Sequence, residues 1–153
     1  MIPAVQVSRF SRALPFWLPV LLLPLAWFCA VTGGLAILLM PIVTWYMFSV
    51  LDAVGGLETE NADPETPESD LFWYRAITVM WPPLQFATLF GMIWYVTRAD
   101  HLNTLESILM FFGVGVITGT IGITYSHELM HQKNAKERWL GDILLAMVMY
   151  SHF

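Results

Sequence analysis

Apolar positions in this chain fall in long, nearly unbroken runs rather than at amphipathic spacing. The runs cover residues 14–31, 35–51, 76–97 and 105–125, with short polar links between most of them. At 1.5 Å per residue, even a run of about 17 residues reaches about 26 Å, enough for a hydrocarbon core. The pattern predicts an all-α fold, a polytopic membrane bundle of four transmembrane helices. A fifth apolar segment, residues 139–153, begins after a polar stretch.

The links sharpen this picture. Thr32-Gly33-Gly34 is too short to do anything but turn the second helix back against the first, and Pro41 is expected to bend that second helix. Residues 52–70 (from Asp52 on, with Pro64 and Pro67) are acidic and without apolar periodicity, which predicts a water-exposed loop. Arg9 and Arg12 precede a first run broken by Pro15, Pro19 and Pro24. A signal peptide shares that positive flank, but no A-x-A site follows and a second apolar run starts at once. The chain reads as a single truncated transmembrane domain, residues 1–153, because it stops at Ser151-His152-Phe153 inside an apolar run.

Composition supports a lipid solvent: 57% of residues are hydrophobic and 12% charged, against about 25% charged in soluble domains. Seven Trp and five Tyr suit a protein with two interfaces to anchor. The net charge of −5 carries no argument for nucleic acid, because the acids crowd into one loop. Cys29 is the single cysteine, which excludes disulfides, zinc ribbons and iron–sulfur clusters within the chain and leaves His and carboxylate as metal ligands. Placing Arg9, Arg12, Arg75, Lys133, Lys136 and Arg138 on the cytoplasmic side leaves only Arg98 outside. That orientation puts the amino terminus and the end of the fourth helix together in the cytoplasm.

At that end the sequence turns polar, Thr124 to Arg138, and presents His127, Glu128 and His131 as H-E-x-x-H. Histidines four apart share one helix face at about 6 Å, close enough for both rings to serve one metal ion. The plainer reading is a pair of amphipathic rings at a membrane interface. Counting back at 100° per residue, Val116, Thr120 and Ile123 fall within about 40° of His127, so the metal face continues into the bilayer as a stripe of small and apolar side chains. That stripe is either one wall of a channel or ordinary helix packing. Gly115 and Gly119 form a small-xxx-small pattern expected to admit a neighbouring helix. The same H-E-x-x-H also fits an intramembrane zinc protease, with the Glu as base and a third ligand from elsewhere, for which Asp52 is the available acid.

The segment SHELMHQKNAKERWLGDILLAMVMYSHF, with its Glu-Arg-Trp at 137–139 and Tyr-x-His-Phe at 150–153, resembles the first histidine box of the membrane-bound alkane hydroxylases, the alkane 1-monooxygenases. LDAVGG at 51–56 resembles a second stretch of that family. Thr-Tyr-Ser before the first histidine and Met130 before the second depart from the family's usual residues, with the helix spacing kept. The resemblance implies a non-haem di-iron enzyme of six membrane helices in the bacterial inner membrane. It would hydroxylate the terminal methyl of n-alkanes with dioxygen and electrons from rubredoxin and its NADH-dependent reductase. By position it implies His127 and His131 as iron ligands, with Glu128, His152 and Asp52 behind them. As a hypothesis, the second helix around Thr44, Trp45 and Phe48 lines the substrate channel, together with Val116, Thr120 and Ile123. The family's further boxes lie beyond Phe153, so the chain alone is expected to be inactive. A desaturase or another hydrocarbon hydroxylase of similar build is the near alternative, the zinc protease the more distant one, and a non-catalytic membrane segment the third.

Overall fold

The computed structural model describes residues 10, 13–55 and 71–150, with backbone alone at 47, 48, 51, 52, 54 and 55. Residues 56–70 of the acidic segment and His152 lie outside the described residues, as do the side chains of Phe48 and Asp52, while residues 52–55, expected to open the loop, are helical instead. The described residues are all-helical, with no strands. We name the helices α1 (Ala13–Thr32), α2 (Leu39–Gly55), α3 (Phe72–Val96), α4 (Thr104–Met130) and α5 (Ala135–Met147). By length and composition α1, α3 and α4 are sufficient to cross a membrane, and the apolar helix Gly34–Tyr46 is shorter.

Proline and glycine set the local shape. Pro19 lies in a 3-10 turn, Leu18–Leu21, inside α1, where its missing N–H would otherwise leave a gap in the α-helical ladder. A second 3-10 turn, Gly34–Leu38, leads into α2 just ahead of Pro41. Gly33 and Gly34 have φ of +66° and +58°, the left-handed region that residues with a Cβ avoid, and this turns the chain from α1 back along α2. The turn is tied to the head of α4. Glu106 Oε1 accepts from Gly34 N at 2.8 Å, while Asn103 and Glu106 close a capping box that satisfies the first free amides of α4.

The opposite end gathers the starts of α1 and α3, the end of α4 and the start of α5. There Trp17 Nε1 donates to Trp73 O at 3.1 Å, Phe16 meets Tyr74 edge-on, and the Tyr125 hydroxyl donates to Phe16 O. The amino-terminal end of the bundle and the histidine end of α4 therefore coincide, as the alternating topology expects. The core between the ends is built from Leu22, Ala26 and Ala30 of α1, Met40 of α2, Ile77, Trp81 and Met92 of α3, and Met110, Val114 and Ile117 of α4. Large apolar side chains such as Leu21, Phe28, Leu35, Leu105 and Ile108 point outward, a distribution suited to lipid and costly in water.

Three features depart from the sequence reading. First, α4 does not stop at residue 125 but runs to Met130. Its 27 residues span about 40 Å, so its last turns rise clear of a hydrocarbon core about 30 Å thick. Second, its middle is not regular: Thr118–Gly122 forms a π turn, one residue more per turn than the α-helix. Third, the segment expected over residues 139–153 starts earlier and ends sooner as α5, and Met149 follows it with φ +58°. At 13 residues α5 is about 20 Å long.

Gly115 and Gly119 do not admit a neighbouring helix within the described residues: a Cβ at either meets nothing within 4 Å. The close approaches occur elsewhere on α4. A Cβ on Gly113 would strike Met40, and one on Gly122 would strike the Gln85 amide.

Candidate metal centre

His127 lies in the last turn of α4 and His131 is its C-terminal cap, with His131 N donating to His127 O at 3.3 Å. Both rings are exposed and aim at each other. Their Nε2 atoms are 3.2 Å apart, with ring centroids 4.6 Å apart and planes at 79°. At that distance one ring can donate to the other, in a direction set by the tautomers. A metal ion would replace that contact by taking a lone pair from each Nε2, with both rings in the Nδ1–H tautomer. With metal–nitrogen bonds of about 2.0–2.1 Å, a separation of 3.2 Å corresponds to an N–metal–N angle of about 100°, between the octahedral and tetrahedral values. The donor pair therefore fits two adjacent positions of one first-row ion.

Among the described residues no cluster of three or more His, Cys, Asp or Glu side chains surrounds such an ion. Glu128 is exposed on the neighbouring face.

Below the histidines an apolar groove of about 620 Å³ runs between α1, α2 and α4. Thr44 and Trp45 of α2 and Val116 and Thr120 of α4, four of the six residues named from sequence, line it together. The threonines add little polarity. Thr44 Oγ1 donates to Met40 O and Thr120 Oγ1 to Val116 O, each at 2.6 Å, and Thr124 Oγ1 to Thr120 O at 2.9 Å. Each hydroxyl is thus satisfied within its own helix.

Ile123 does not join them. It lines a second hollow of about 470 Å³ with Gly115 and Gly119. The π turn is the reason: one extra residue offsets everything beyond it by about 100° of α-helical rotation, and a count that assumes a regular helix misplaces Ile123. Thr124 takes the position in the groove instead. Beyond the π turn the helix is regular, so His131 lies within about 20° of Thr124 and Glu128 within about 40°, with His127 about 60° away. The groove leads toward His131 and Glu128 first, and His127 stands to one side.

The sequence reading also missed Phe16 and Pro19 of α1 and Tyr125 of α4, which complete the groove. Pro15 and Pro19 in an otherwise apolar helix were the available signal, since they shape the α1 wall. Nor did it find the pairing of Arg75 on α3 with Glu137 on α5, which joins residues 62 positions apart at the histidine end. Arg75 Nη2 reaches Glu137 Oε1 at 2.6 Å and Nε reaches Oε2 at 3.0 Å. The guanidinium holds the Glu137 carboxyl below the usual carboxylate range, overcoming the opposing effect of burial.

No protein-family model matches the chain. Individual relatives do. An alkane 1-monooxygenase of Pseudomonas putida is 29% identical over 130 residues, covering 83% of this chain and 32% of the relative. Alkane 1-monooxygenase 2 of Pseudomonas aeruginosa is 31% identical over 114 residues, 72% of this chain and 30% of the relative. Alkane 1-monooxygenase 2 of Alcanivorax borkumensis is 28% identical over 151 residues, 92% of this chain and 38% of the relative. The chain spans about a third of the length of the curated relatives it matches. Over that length, and with an all-helical, membrane-spanning architecture, the chain belongs to the alkane hydroxylase family.

Proposed function

We propose that this chain supplies one histidine box and part of the substrate channel of a non-haem di-iron monooxygenase that hydroxylates the terminal methyl of n-alkanes. The observation that carries this reading is the convergence of His127 Nε2 and His131 Nε2 at 3.2 Å, on the helix that also walls the apolar groove. Bound iron would supply the activation of dioxygen that an unactivated C–H bond demands, with electrons from rubredoxin and its NADH-dependent reductase.

The chain's own residues do three things in this proposal. His127 and His131 hold an ion by neutral imidazole nitrogens, with Glu128, Asp52 and His152 as supporting residues around it. Thr44, Trp45, Val116 and Thr120, with Phe48 on the same helix as Thr44 and Trp45, bind the alkyl chain along an apolar path and keep water from the reacting carbon. Thr124 lines the same groove about two turns before His131. The substrate enters from the bilayer, and the histidine end faces the cytoplasm of a bacterial inner-membrane protein.

Similarity to proteins named for alkane oxidation favours a hydrocarbon hydroxylase over a desaturase, and favours both over a zinc protease that would use Glu128 as base. In the protein at its relatives' length, His127→Ala and His131→Ala are each expected to abolish 1-alkanol formation from an n-alkane series and to lower bound iron. Normal iron content and turnover in either variant would end the assignment.

A further inference from the structure

The Glu-Arg-Trp stretch at 137–139 has no part in the chemistry above, yet two of its side chains converge on the corner that carries His131. Glu137 is 8% exposed and receives both nitrogens of the Arg75 fork. Its Oε1 also accepts from Asn134 Nδ2 at 3.2 Å, and Asn134 Oδ1 caps α5 by accepting from Lys136 N at 3.0 Å. Arg138, 100° further round the helix, reaches the other way: its Nη1 donates to Gln132 O at 3.0 Å and to Lys133 O at 2.7 Å. Inside the corner, Ser126 Oγ donates to Gly141 O at 2.9 Å. A Cβ on Gly141 would come within 3.0 Å of Ser126 O, so the two helices touch at backbone distance.

We propose that Arg75, Glu137 and Arg138 are positioning residues for the histidine pair. Three residues, 132–134, separate His131 from α5, and their path is fixed at one end by Arg138 on their carbonyls and at the other by Asn134 on Glu137. Arg75 anchors that assembly to α3, which does not otherwise adjoin the pair in sequence. The His131 backbone is thereby held where its ring meets the His127 ring before any ion arrives. This removes from binding the cost of ordering the corner. The inference rests on the reading that the pair binds metal, and the experiment separates the two.

The purified chain in detergent is titrated with Co2+ and with Ni2+, followed by calorimetry and by the Co2+ visible spectrum. Glu137→Gln and Arg138→Ala are each made in the native and in the His131→Ala background. With both histidines present, each is expected to weaken binding about tenfold, the low end of what residues behind a ligand contribute. With His131 absent, neither is expected to change it, because a single ring has no partner to be aligned with. Arg138 is exposed, so Arg138→Ala carries the test if Glu137→Gln lowers the helix content seen by circular dichroism. Unchanged affinity in the native background, or equal weakening in both backgrounds, overturns the positioning role and leaves the metal pair standing. Native protein that binds no tighter than His131→Ala overturns the pair itself, and the inference with it.

Discussion

Met40 on α2 lies against Gly113 on α4 with no room for a side chain between them: a Cβ at Gly113 would stand 2.8 Å from Met40 Cβ and 2.9 Å from Met40 Cε. Met40 Cβ cannot swing away as a side-chain tip can, so Gly113→Ala has to push the two helices apart. Overpacking of this kind costs about 1–3 kcal/mol. Gly115→Ala, which meets nothing within 4 Å, is expected to be neutral or to stabilise α4 by up to about 1 kcal/mol through helix propensity. Denaturant or thermal unfolding in detergent compares the two. Equal stability of the two variants would show that the α2–α4 contact does not hold the bundle.

That contrast shows what the sequence revealed and where it stopped. Run length and polarity were enough for the all-helical class, though not for the helix ends, and for the glycine turn at Gly33-Gly34 and the shared end of Ala13 and His127, because each depends on local chemistry or on the alternation of spans. Gly115 and Gly119 matched a packing pattern, but a pattern on one helix does not say which neighbour comes near it, and the neighbour came to Gly113 and Gly122. The spacing of His127 and His131 survived because four residues on a regular turn fix it. The stripe below them survived only as far as the π turn: Val116 and Thr120 hold their expected face and Ile123 does not. Nothing in Thr-Gly-Thr-Ile-Gly announces the extra residue, and Gly122 at its end lies against Gln85, a tertiary contact that no count along one helix contains. The pairing of Arg75 with Glu137 was likewise invisible, since two charges far apart in sequence carry no sign of meeting.

Glu137 gives the stability of the histidine end a pH dependence of definite sign. Arg75 lowers its folded pKa, so the stabilisation is fully present at neutral pH and down to the ordinary glutamate value of about 4.3. It is lost progressively as pH falls below that value and through the depressed folded one. The Arg75 side chain is 38% exposed, so solvent screens the pair and the expected contribution is about 1 kcal/mol. Thermal midpoints from pH 7 downward should therefore place native protein above Glu137→Gln at neutral pH and bring the two together in acid. Parallel curves over the whole range would remove the pair from the account.

Thr44 is 2% exposed, lines the groove together with Thr120, and has its hydroxyl tied to Met40 O rather than free to meet a ligand. Thr44→Val keeps that volume, gives up one hydroxyl bond to backbone and is expected to leave the alkane range unchanged. Thr44→Phe fills the passage and should shorten the longest n-alkane hydroxylated by the protein at its relatives' length. Gas chromatography of products from a chain-length series reads the difference. An unchanged range with Thr44→Phe would take α2 out of the channel wall.

The π turn offers a test of alignment itself. Deleting Gly119, where a Cβ would touch nothing, takes one residue from Thr118–Gly122 and allows α4 to run as a regular helix. The four-residue spacing of His127 and His131 is untouched, so the chain should bind Co2+ as before. Relative to Val116, the seven remaining steps of a regular helix come to about 700°, which leaves Thr124 within about 20° of Val116 and keeps it in the groove, as the π turn does with eight. Hydroxylation by the protein at its relatives' length should therefore be kept as well. Metal binding and turnover both kept is the outcome expected if the π turn serves to absorb one residue without changing the alignment of groove and histidines. Metal binding kept and turnover lost would mean that the π turn itself shapes the path between them.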